Sequence, residues 1–138
     1  MTQGAFWDDL IRDLQDPDFL REYVVESMRI ATIDRIVNEL DEAREAADLS
    51  KAALARAISA EPAVVRRLFS AGHVNPTLGT LAEVAAALGM RITLEPLPDA
   101  ERESITTPLL DGQAADVQTL AEHLTAMRET KSHSRSAA

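Results

Sequence analysis

Residues 49–94 read LSKAALARAISAEPAVVRRLFSAGHVNPTLGTLAEVAAALGMRITL, and the division of this stretch into elements decides the fold. Ser50 follows an apolar residue and precedes a run of good helix formers, so its hydroxyl can accept an orphaned amide of the first turn as an N-cap. Ala53, Leu54, Ala57 and Ile58 then recur at helical spacing, leaving Lys51 and Arg56 outward. Ala55 is small where two helices must approach. A second helix starts at Glu61: Pro62 suits the first helical position, where its missing N–H is no loss, and the acid complements the positive helix end. Val65, Leu68 and Phe69 form its inward stripe, which leaves Pro62, Ala63, Arg66 and Arg67 facing out.

An exposed helix start followed by adjacent arginines suits the DNA major groove, where a guanidinium donates two parallel hydrogen bonds to a guanine edge. Neighbouring helical residues point about 100° apart, so the pair divides the work: Arg67 for a base, Arg66 for a phosphate. Gly72 is expected to end this helix in a left-handed conformation. Thr77 is the expected N-cap of the next helix, which buries Leu78, Leu81, Ala82, Val84, Ala85 and Leu88 and stops at Gly89. Arg91, Ile92, Thr93, Leu94 and Glu95 alternate polar and apolar, the pattern of a half-buried strand. A lone strand must find a ladder partner. Either the same strand of a second copy supplies it, giving an intersubunit β-ribbon, or pairing occurs within the chain, where no second convincing strand is found.

The stretch from Ile33 to Leu94 resembles the Xre, or Cro/CI-type, helix-turn-helix family. LSKAALARAI matches the usual second helix, EPAVVRRLFSAG the recognition helix, and NPTLGTLAEVAAALG the loop and fourth helix. The resemblance puts Pro62, Ala63 and Arg67 on base-contacting positions and Asn75, Pro76 and Thr77 on a loop whose backbone meets phosphate. The expected DNA-facing set is therefore Ser50, Lys51, Glu61, Pro62, Ala63, Arg66, Arg67, His73, Asn75 and Thr77. Within the family, YVVESMRIATIDRIVNELDEAREAADLS and GMRITLEPL resemble antitoxins of the HigA type. Such proteins neutralise a ribonuclease toxin of the HigB/RelE type and repress their own operon. The fold so implied is all-α: a five-helix core over 32–95, an acidic helical extension over 1–31, and a linker with a tail helix over 96–138.

The flanks read as follows. Phe6, Trp7, Leu10, Ile11 and Leu14 mark a short amphipathic helix with Asp8, Asp9 and Asp13 on its other face. Phe6, Trp7, Leu10 and Leu14 either pack on the chain's own helices or dock a partner. Asp16-Pro17 interrupts, and Asp18 can cap a helix through Met28 that ends there or runs into the next, where Ile33, Ile36, Val37 and Leu40 recur. Pro96, Pro98, Pro108 and Asp111-Gly112 mark a linker. Val117, Leu120, Ala121, Leu124 and Met127 form a tail helix, which lies back on the protein or folds on a partner, and KSHSRSAA at the end is expected to be disordered.

The chain has 138 residues, a net charge of -9 and no cysteine, which excludes disulfides and thiol chemistry. Met1–Ser27 holds seven acids and two bases, Met28–Pro98 nine and eight, and Asp99–Ala138 seven and four, so the excess acid lies mostly outside the expected DNA-binding unit. Acidic flanks fit a basic protein partner. His73, His123 and His133 have no metal-ligand spacing, and no phosphate loop or nucleophile elbow occurs. The reading is a cytoplasmic DNA-binding homodimer, not an enzyme, with operator DNA and a basic toxin as partners and no metal, cofactor, small-molecule ligand or membrane span. A stand-alone regulator, or an interaction adaptor with a structural helix-turn-helix core, remains the alternative.

Overall fold

The computed structural model describes residues 2–70, 72 and 74–137, with side chains over 4–70, 72 and 74–128. These residues are all-helical. The elements are α1 (Thr2–Asp13), α2 (Pro17–Ala46), α3 (Lys51–Ala57), α4 (Pro62–Leu68), α5 (Leu78–Ala87), α6 (Asp99–Asp111) and α7 (Val117–Ala137). No strand occurs among the described residues, the expected Arg91–Glu95 included, for which the single chain holds no partner strand. None of residues 91–97 makes a backbone hydrogen bond to another described residue, so no ladder is available to define a strand.

The chain forms two compact units that divide inside α2: Met1–Ala31 with Glu95–Thr130, and Thr32–Leu94 with Lys131–Ala138. α2 is continuous because no glycine or proline falls between Asp18 and Ala46. Its cap is Asp16 rather than Asp18: the Asp16 carboxylate accepts from the Asp18 amide at 3.0 Å, and Pro17 takes the first helical position.

In the first unit, Leu10 and Leu14 of α1, Leu20 and Val24 of α2, Ile105 of α6, and Leu120, Ala121 and Leu124 of α7 form one buried cluster. The flanks, separate in sequence, share this core. Polar ties add to it. The Arg21 Nε donates to the Leu109 carbonyl at 3.1 Å, and Arg128 donates through Nη2 to the Ser27 hydroxyl at 2.6 Å while its guanidinium lies 5.0 Å from the Tyr23 ring centre.

Two expectations are corrected here. The stretch read as linker holds α6, with Pro108 buried inside it, and α7 runs on through most of the tail expected to be disordered. Proline 108 removes one backbone bond without breaking the helix, and nothing from Val117 to Ala137 is a glycine or proline.

α6 ends on Gly112 at φ 74°, whose amide bonds the Pro108 carbonyl at 2.9 Å. A Cβ there would lie 3.1 Å from the Pro17 Cβ and 3.2 Å from the Arg21 Nη2. Gly112→Ala should therefore destabilise this unit by ~1–3 kcal/mol, from left-handed strain plus crowding, read by denaturant unfolding.

Asp116 starts α7, accepting from the Thr119 hydroxyl at 2.7 Å and the Thr119 amide at 3.2 Å. These bonds to Thr119, the hydroxyl's first, hold its carboxyl below the ordinary aspartate value. Because the folded value is depressed, the cap's contribution is present above the unfolded value and lost as pH falls through the folded one. An NMR titration should show Asp116 protonating at lower pH in the folded chain than in Thr119→Ala.

Candidate nucleic-acid interface

The second unit is built on Val37 and Leu40 of α2, Leu54 and Ala55 of α3, Val65 and Leu68 of α4 with the adjoining Phe69, and Leu81, Val84 and Ala85 of α5, all buried together. α3 and α4 have seven residues each. Isolated helices shorter than about 12–15 residues are marginal in water, so both depend on this core. Ala55 is fully buried, and its small side chain sits in this shared core.

Local chemistry fixes where each helix begins. The Ser50 hydroxyl accepts from the Ala53 amide at 3.0 Å, and the Thr77 hydroxyl accepts from Thr80 at 3.1 Å. Glu61 is the N-cap residue of α4, with Pro62 following, but its carboxylate makes no cap bond.

The helix ends are equally defined. α2, α3 and α5 all close in the Schellman pattern, with Asp48, Ser59 and Gly89 as the left-handed residues at φ 54°, 54° and 73°. The 6→1 bonds are Leu49 N–H to Arg44 O at 3.1 Å, Ala60 N–H to Ala55 O at 2.9 Å and Met90 N–H to Ala85 O at 2.8 Å. Only the Gly89 stop was legible in the sequence. Serine carries no comparable flag, and aspartate, though enriched in this region among L-residues, adopts it far less readily than glycine.

Three further expectations change. α4 stops at Leu68, because Phe69 turns into the core as its cap residue and Ser70 closes on the Arg67 carbonyl through both amide and hydroxyl. Gly72 therefore has no helix to terminate and does not take a positive φ. Ala57, Leu78 and Ala82, expected to be buried, are exposed, Leu78 to 69%.

Of the expected DNA-facing residues, Ser50, Glu61, Pro62, Arg66, Arg67, Asn75 and Thr77 are exposed, and Lys51 and Ala63 are half-buried. His73 lies outside the described residues. The Ser50 and Thr77 hydroxyls each accept a capping bond, which leaves the Ser50 O–H able to donate, whereas the Thr77 O–H donates to the Thr80 hydroxyl at 3.0 Å.

Val64 and Arg67 of α4, Asn75 and Pro76 of the loop, and Thr77 and Thr80 at the start of α5 line one open cleft of about 410 Å³. Val64, 36% exposed, was missed by the sequence reading because Val65 alone fits the inward stripe. An exposed valine one turn from Arg67 can meet a thymine methyl.

Arg44 was also missed. Its Nε donates to Asp41 at 2.9 Å, its Nη1 to the Leu49 carbonyl at 2.9 Å, and its guanidinium lies 5.8 Å from the Phe69 ring centre. It thus ties the end of α2 to the entry of α3 and the exit of α4. The Asp41–Arg44 spacing of three was its available signal.

Arg12, Arg29, Arg44 and Arg102 each face a carboxylate, whereas Lys51, Arg56, Arg66 and Arg67, like Arg21, Arg35, Arg91 and Arg128 elsewhere, form no ion pair among the described residues. From Leu49 to Leu94 there are five bases and two acids. Lys51, Arg56, Arg66 and Arg67 can therefore meet an anion without first breaking an internal ion pair.

Elsewhere, the four residues read as a partner surface divide. Leu10 and Leu14 are core, which removes them from any docking face, Trp7 is half-buried against that core, and Phe6 is 69% exposed. No cluster able to hold a metal occurs among the described residues, and no helix among them is long and apolar enough to cross a membrane. The chain matches no known family model, no curated protein and no solved structure.

The turn between α3 and α4 is testable through Ser59. Ser59→Gly should raise stability by about 0.5–1 kcal/mol, relief of left-handed strain exceeding the added chain entropy, while Ser59→Val should lower it by a similar amount or more. Thermal unfolding of both variants gives the sign.

Proposed function

We propose that this chain is a sequence-specific DNA-binding repressor that works as a homodimer and serves as the antitoxin of a type II toxin-antitoxin module. It neutralises a basic ribonuclease toxin and represses its own operon. The carrying observation is the pair Arg66 and Arg67, exposed and without ion-pair partners among the described residues, on a short helix packed through its other face. Arg67, beside Val64 on the cleft, reads a base, and Arg66 holds a phosphate. The dimer forms through Arg91–Glu95.

Charge supports the antitoxin half of this reading. The first unit holds fifteen acids against five bases, and the second eight against nine. The acidic unit suits a basic protein and would be repelled by nucleic acid, so two partners of opposite charge are served by different parts of one chain. A stand-alone regulator shares the DNA-binding half alone, and an adaptor neither.

Binding to the duplex upstream of the chain's own gene, compared with a scrambled duplex across a salt series, tests the reading. Selective binding is expected. Arg67→Ala should cost about 1–3 kcal/mol at one base position and relax selectivity there, while Arg66→Ala should weaken both duplexes alike and reduce the salt slope by about 1. Equal, weak binding to both duplexes, unaltered by either substitution, would overturn DNA recognition and leave the adaptor.

A further inference from the structure

The segment Arg91–Leu97 leaves its backbone amides and carbonyls without partners among the described residues. Ile92 packs against the core of the second unit, yet Leu94, two residues on, is 99% exposed. Paired as a strand, the segment would set Ile92 and Leu94 on one side and Arg91, Thr93 and Glu95 on the other. An apolar residue so exposed beside unpaired backbone is an open edge that a second strand can cover.

We propose that a second copy of this chain occupies that edge in one antiparallel register, with the two-fold axis passing through Thr93. This rests on the proposed homodimer and specifies how it is built. In this register Arg91 faces Glu95 of the second copy and Glu95 faces its Arg91. Ile92 faces Leu94, and the two Thr93 side chains meet on the axis. Both charge pairs are satisfied, both apolar pairs share one face, and Pro96, which has no amide to donate, marks the end of the ladder.

Neighbouring registers fail on the same residues. An axis on Ile92 sets Arg91 opposite Thr93 and Glu95 opposite Gly89, so neither charge is met. An axis on Leu94 sets Ile92 opposite Pro96 and Arg91 opposite Leu97. A shift of one residue places charged and apolar side chains on the same face.

The chain contains no cysteine, so single cysteines introduced at positions 91 to 95 report the register without background. Directly opposed residues fall within the 4.4–6.8 Å Cα separation a disulfide needs. In the proposed register Thr93→Cys meets itself, whereas two Arg91→Cys residues lie roughly 13 Å apart. Under mild oxidation covalent dimer should peak at Thr93→Cys. A charge exchange gives an independent reading: Arg91→Glu and Glu95→Arg should each weaken dimerisation roughly ten- to thirtyfold, and the double variant should restore it, measured by sedimentation.

A peak at another position, or a double variant no better than the singles, overturns the register. A chain monomeric at all concentrations, with no covalent dimer at any position, overturns the homodimer as well. Selective DNA binding by a chain that fails to cross-link at Thr93 overturns the register alone, and cross-linking at Thr93 without DNA selectivity overturns the DNA reading alone.

Discussion

The second unit depends on the closure of α3 onto α4 at Ala55. This residue lines the shared core with its side chain and accepts the Ala60 amide at 2.9 Å with its carbonyl, so one position holds both the packing and the turn. A larger side chain would crowd the packed core, and loss of the carbonyl bond would free the path to Glu61. Neither seven-residue helix is stable by propensity alone. Their inward residues therefore do the stabilising, and the outward ones are released from it. Arg66 and Arg67 can be exposed and unpaired because Val65, Leu68 and Phe69 already anchor the helix.

Arg44 extends the same constraint. Guanidinium is planar and carries five donors, so one side chain can meet a carboxylate, a carbonyl and an aromatic face together. Here it meets Asp41, Leu49 and Phe69, which belong to three different segments. It is a shielded arginine with its charge already answered. The contrast with Arg66 and Arg67 is one of electrostatic availability: a paired guanidinium offers little to an incoming phosphate, and an unpaired one offers its full charge.

How much of this was legible in the sequence depended on range. Ser50, Glu61 with Pro62, Thr77 and Gly89 were readable because a cap or stop involves residues within one turn. The inward stripes of α4 and α5 were readable at Val65, Leu68, Leu81 and Val84 from their period. Asp48 and Ser59 were not: both take φ 54°, although neither residue type favours the left-handed region as glycine does. Gly72 misled for the converse reason: glycine permits a left-handed stop, but Phe69 found a better site in the core three residues earlier. α6 was masked by prolines that read as punctuation, and its shared core with α1 and α7 joins residues some hundred positions apart, beyond any local pattern. On the candidate site, the arginines were visible in the sequence; that they lack internal partners was visible only in the fold.

Charge distribution sets what one copy can do on the DNA-binding reading. Each neutralised phosphate contributes roughly -0.9 to the salt dependence of affinity, and four unpaired cations on α3 and α4 are few for a protein whose net charge is -9. Two copies double the number of phosphate contacts while fixing the spacing between reading helices, so the gain appears on a correctly spaced pair of half-sites and little elsewhere. On the proposed function, weak electrostatics in one copy would thus become a source of selectivity in two, and the segment proposed to join the copies would be as much a part of recognition as the helix proposed to meet the bases.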